Sequence, residues 1–79
     1  MSNKEKYNQV FMNALQISEG NLQGLIYQSI ETWDSVGHMG LIAEIEDTFD
    51  IMMDTDDIID FSSYEKGMEI LNKYDVVIE

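Results

Sequence analysis

The longest uninterrupted apolar period in the chain runs from Val36 to Phe49, and its spacing is that of an α-helix. At about 100° per residue, Leu41, Ile42, Ile45 and Phe49 gather in one sector, with His38 near its middle. Asp34 and Ser35 stand immediately before it, both of types that cap helices by accepting hydrogen bonds from free backbone N–H groups. A serine hydroxyl is thereby presented at the positive end of a helix. On the opposite side fall Val36, Gly40 and Ala43, with Met39 at the flank, where a surface helix is ordinarily polar. Asp34, Glu44, Glu46 and Asp47 surround them. Two readings follow: a shallow contact surface with an acidic rim, where methionine suits several partners, or scattered surface apolarity of the common kind. Spacing alone does not separate them. Gly37 and Gly40 each cost about 1 kcal/mol relative to alanine in a helix, so its start is expected to be loose or closely approached by something.

The rest of the chain also reads as helical. Ser2 and Glu5 have the spacing of a capping box. Behind them Tyr7, Val10, Phe11, Ala14 and Ile17 form a stripe, which predicts a first helix over about residues 3–17, ended by a left-handed Gly20 or Asn21. Residues 18–34 show no sustained period, yet Leu22, Leu25, Ile26, Tyr27, Ile30 and Trp33 are too apolar for a free linker. A connection of this length in a small domain is uncommon without a function, and it is expected to be ordered and pinned on the helices, with Trp33 as a packing anchor. The second helix is expected over about 35–49. Asp54 and Asp56 invite a calcium-loop reading, which fails because Ile58 and Ile59 occupy the third ligand and glycine positions. They are better placed at the start of a short helix, about 56–60, with Ile58, Ile59 and Phe61 packed inward. Ser62 and Glu65 suggest a second capping box opening a last helix, about 63–74, with Tyr64, Met68 and Leu71 as its buried stripe. The fold class expected is all-α: one small bundle of three main helices and one short helix, with a long ordered connection between the first two.

Charge narrows the function. The chain has 79 residues with 16 acidic against 4 basic, a net charge of −12, and no lysine or arginine lies between Lys6 and Lys66. Such a field repels nucleic-acid phosphates and anionic membranes and steers towards basic protein patches. With no cysteine, disulfides and thiolate metal sites are out of reach, which fits a reducing compartment. The lone His38 lacks a second ligand, so a packed histidine is expected rather than a metal site. No apolar run approaches the roughly 20 residues needed to span a bilayer, and the N-terminus has no signal-peptide pattern. The expected location is the cytoplasm.

The order Asp34-Ser35-Val36, Leu41-Ile42, Ile45-Glu46-Asp47, Phe49-Asp50-Ile51 and Met53-Asp54 resembles the signature of acyl carrier proteins. The resemblance is most specific from Trp33 to Asp54 and extends through Ser62-Ser63 and the last helix. It implies that Ser35 is esterified by phosphopantetheine from coenzyme A, that Asp34 contacts the phosphopantetheinyl transferase, and that Val36, Met39, Glu46 and Asp47 form the partner surface. The implied cargo is an acyl or aminoacyl group held as a thioester. The implied partners are a loading ligase and an acyltransferase or synthase with basic docking patches, in lipid, polysaccharide or secondary-metabolite synthesis, and the carrier itself is a monomer. Gly37 and Gly40 stand where fatty-acid carriers usually have acids, and Trp33 is uncommon there. The pattern is closer to specialised stand-alone carriers.

An enzyme is disfavoured, because one histidine three residues along the same helix does not easily face the Ser35 hydroxyl. The competing reading is an acidic helical interaction module without a prosthetic group, in which Ser35 acts only as a helix cap.

Overall fold

Ser2 and Glu5 exchange hydrogen bonds at the start of the chain, Glu5 N–H to Ser2 Oγ (3.1 Å) and Ser2 N–H to Glu5 Oε1 (3.0 Å). This box opens α1, Asn3–Leu15, in a computed structural model that describes all 79 residues. The helix stops earlier than its apolar spacing predicts. Gln16 adopts the left-handed conformation (φ 59°) and returns its N–H to the Met12 carbonyl, so neither Gly20 nor Asn21 supplies that turn. Leu15 is thus the last helical core residue, and Ile17 packs from outside the helix. Asn21 is used differently: it bonds Ser18 Oγ (2.8 Å) across a single 3₁₀ turn, Glu19–Asn21.

The three remaining helices are α2 (Ser35–Phe49), α3 (Thr55–Asp60) and α4 (Tyr64–Asn72), and no strand is present. The protein is an all-helical bundle, with α1 and α2 as its principal helix pair. Sixteen buried apolar residues form one cluster contributed by every long helix and by the connection between α1 and α2. From that connection come Leu22, Leu25 and Trp33. Backbone bonds fix it as well. Tyr27 N–H donates to the Ser62 carbonyl (2.8 Å) and Tyr64 N–H to the Leu25 carbonyl (3.0 Å), which ties the connection to the corner between α3 and α4.

That tie moves the start of α4. The two bonds flank an isolated antiparallel bridge between Ile26 and Ser63, with the Ser62 carbonyl taken by Tyr27, and Ser63 caps the helix by accepting from Lys66 N–H (2.9 Å). Glu65 then stands one position short of a capping-box partner and accepts from Gly24 N–H instead (3.0 Å). The inward face of α4 is Tyr64, Gly67, Ile70 and Leu71, with Met68 only half-buried. Gly67 is required there, because a Cβ would run into the Tyr7 hydroxyl and the Phe61 ring. Beyond α4 the chain folds back: Val76 is buried and the Val77 carbonyl accepts from the Asn3 side chain. No helix is long and apolar enough to cross a membrane.

Candidate functional site

Trp33 organises the approach to α2. It is fully buried, meets Phe11 edge-on at 5.6 Å and Tyr27 edge-on at 6.0 Å, and stacks beside His38 at 6.2 Å. Its indole N–H donates to His38 Nδ1 (3.0 Å). Indole is a donor only, so Nδ1 must accept and the ring proton sits on Nε2. That proton is donated to the Ile58 carbonyl (2.8 Å), one of the carbonyls left unpaired at the end of α3. His38 therefore bridges α2 to α3, and neither ring nitrogen is left to take a proton from Ser35.

The cap of α2 is Asp34, whose Oδ1 accepts from Gly37 N–H (2.8 Å), while its carbonyl accepts from His38 N–H (2.8 Å). Ser35 is not a cap. It is the first helical residue, exposed, and its hydroxyl enters no hydrogen bond within the protein. The N–H groups of Ser35 and Val36 have no intrahelical partners and face outward with the positive end of the helix dipole. Gly37 explains how the turn closes: the Thr32 carbonyl packs where its Cβ would be. Gly40 has nothing near it, so the close approach expected for the start of α2 holds at Gly37 alone.

Ser35 lies on the lip of a cleft of about 340 Å³ between α2 and α3, lined by Tyr27, His38, Met39, Ile58, Ile59 and Phe61. Of the four depressions in the molecule it is the one lined mainly by apolar side chains. Ile59, expected in the core, is instead 72% exposed. The six residues of α3 have only one inward face, and Asp57, Ile58 and the following Phe61 take it. Val36 and Met39 are exposed at 79% and 59%, and with Ile59 they give this end of the bundle an apolar rim.

Of the two acids assigned to the rim, Asp47 is exposed and makes no contact with a basic group. Glu46 is half-buried and has a role in the fold as well. Its Oε2 accepts from Met53 N–H (2.8 Å), which closes the loop between α2 and α3. No group of three or more His, Asp or Glu side chains is placed to hold a metal.

One polar cluster had no signal in the spacing. Asp57, whose side chain is 8% exposed, accepts from Lys73 Nζ (2.5 Å) and Tyr74 OH (2.5 Å), and Tyr74 OH accepts from Asp54 N–H (2.9 Å). The cluster latches α3, one wall of the cleft, to the end of α4. The Lys73 and Tyr74 bonds hold the Asp57 carboxyl below its ordinary range. A carboxyl more acidic folded than unfolded stabilises the fold above the usual carboxylate pKa of about 4 and loses that contribution as pH falls through the folded value. The gap in unfolding midpoint between the native chain and Asp57→Asn should thus be full above about pH 5 and shrink below pH 4. Thermal unfolding across pH measures it, and a gap that persists unchanged to low pH would show that Asp57 acts as a neutral group.

No family model, curated protein or solved structure matches the chain.

Proposed function

We propose that this protein is a carrier in which Ser35 is the attachment point for phosphopantetheine and Asp34 the contact for the transferase that installs it. The observation that carries the reading is the division of labour at the start of α2. Asp34 does the capping, which leaves the Ser35 hydroxyl exposed and unpaired beside the one mainly apolar cleft. The residues present suit a phosphodiester arm. Free N–H groups at Ser35 and Val36 and the helix dipole favour an anion there. In attachment, Ser35 Oγ bonds to the pantetheine-bearing phosphorus of coenzyme A, the pyrophosphate P–O bond breaks, and the bisphosphorylated adenosine leaves. The serine proton passes to the transferase, since His38 has both nitrogens committed. Once attached, the arm supplies a thiol that carries an acyl or aminoacyl group as a thioester, and with no cysteine in the chain no protein thiol competes.

Val36 and Met39 would meet the transferase and the pathway enzymes, with Asp47 and the wider net charge of −12 drawing basic patches towards them. Complementarity of this kind speeds encounter more than it tightens binding, which suits a carrier that must leave one enzyme for the next. Glu46, whose Oε2 also holds the loop after α2 through Met53 N–H, would add its charge to the same acidic surface. An interaction module without a prosthetic group would use the same rim, yet it leaves Ser35 without a role, because the cap is Asp34.

Incubation with coenzyme A and a broad-specificity phosphopantetheinyl transferase, followed by intact mass, decides between them. The native chain should gain the mass of one phosphopantetheine and Ser35→Ala none. A chain that stays at its original mass with several transferases is an interaction module, not a carrier.

A further inference from the structure

A long alkyl group on a carrier is shielded only if an apolar path leads from the attachment serine into the bundle. Here one candidate path exists, the cleft between α2 and α3, and its floor is shut. His38 spans it from Trp33 to the Ile58 carbonyl and is flanked by Tyr27 at 5.2 Å and Phe61 at 6.1 Å. Behind that floor the interior is full. Trp33 and Phe11 are wholly buried against each other, and neither lines any of the four depressions. Opening a way past His38 would strand the Trp33 N–H and the Ile58 carbonyl as unpaired polar groups in apolar surroundings, which protein interiors avoid. No buried side-chain polar atom lacks a partner in the closed arrangement.

Resting on the carrier reading, we infer that the group this protein carries is short or polar and stays outside the bundle, and that His38 is the residue that excludes a long alkyl chain. Such a cargo lies at the cleft mouth among Met39, Ile58 and Ile59, open to partner enzymes, and gains no protection from the core. His38 touches neither the serine nor the thioester. It sets specificity by holding the floor closed.

The test loads the full chain from acetyl-, hexanoyl- and decanoyl-coenzyme A with a promiscuous transferase. It reads the unfolding midpoint by circular dichroism and the rate at which hydroxylamine releases each acyl group. Both should be the same across the series. A methylene taken into the core would raise the midpoint by about 3–6 °C, so a steady climb from acetyl to decanoyl, or slower release of the longer groups, overturns the inference. In His38→Ala the decanoyl form should become more stable than that variant's own acetyl form. His38→Gln can accept from Trp33 and donate to Ile58, and it should restore the flat series. A flat series in a folded His38→Ala would remove His38 from the role. Should that variant not fold, the native series decides alone. A chain that never gains the arm fails at the mass measurement, which sinks the carrier reading and this inference together.

Discussion

Trp33→Ala should remove a large part of the stability of this protein. Truncating a wholly buried large aromatic costs about 3–5 kcal/mol, and a chain of this size is stable by roughly 4–12 kcal/mol in total. The loss falls at a junction. Trp33 joins the connection to α1 through Phe11, to Tyr27 within the connection, and to α2 through His38. Without it, residues 18–34 keep their backbone bonds to the α3–α4 corner but lose their deepest side-chain anchor. The unfolding midpoint should fall by at least about 12 °C. Trp33→Phe keeps much of the apolar volume yet leaves His38 Nδ1 without its donor, and should fall between the two. Urea titrations give the energies, and the emission of the single tryptophan reports its burial in the native chain. A Trp33→Ala variant within about 1 kcal/mol of the native chain would mean that the connection rides on the core rather than forming part of it.

The helical class of this chain was legible because the apolar residues of α1 and α2 recur at helical spacing, and the burial of Tyr7, Val10, Phe11, Leu41, Ile42 and Ile45 follows that spacing closely. The caps at Ser2 and Asp34 were legible for a local reason: each bonds an N–H three residues away. What spacing does not carry is competition between distant segments. Ser62 looks like a cap until Tyr27 takes its carbonyl, and Glu65 looks like a box partner until Gly24 takes its carboxylate. Glu46 reads as a rim charge because its loop partner, Met53, lies seven residues on and outside the helix. Asp57 reads as one more solvated acid in an acidic run, since its partners Lys73 and Tyr74 are brought to it only by the fold. The site has the same division. Ser35 and Asp34 stand out in the sequence as a pair, whereas the cleft beside them and the His38 bridge beneath it exist only once α3 is packed against α2. Ile59 shows the limit most directly: in a six-residue helix period alone does not choose the inward face, and the face that carries the Asp57 bonds to Lys73 and Tyr74 is the one turned inward.

The same substitution at two glycines of α2 should have opposite effects. Gly40→Ala adds a methyl group to open space on an exposed helical position, so the gain is the helix preference of alanine, about 0.5–1 kcal/mol. Gly37→Ala receives that gain too, but its methyl would occupy the place of the Thr32 carbonyl. The obstacle is backbone, and it is not free to swing aside. Thr32 lies in a loop closed by Trp33 N–H to the Ile30 carbonyl (3.2 Å) and Gln28 N–H to the Trp33 carbonyl (3.0 Å). Relief must come from moving that loop or from unwinding the first turn of α2, and overpacking of this kind costs about 1–3 kcal/mol. Either route displaces Asp34, which caps through Gly37 N–H, and with it the presentation of Ser35. The two variants should differ by about 10 °C in unfolding midpoint. They should differ in function as well, Gly37→Ala accepting phosphopantetheine more slowly while Gly40→Ala matches the native chain. Equal gains in stability at both positions would show that the Thr32 loop yields freely, and that the turn holding Ser35 is not set by the close approach at Gly37.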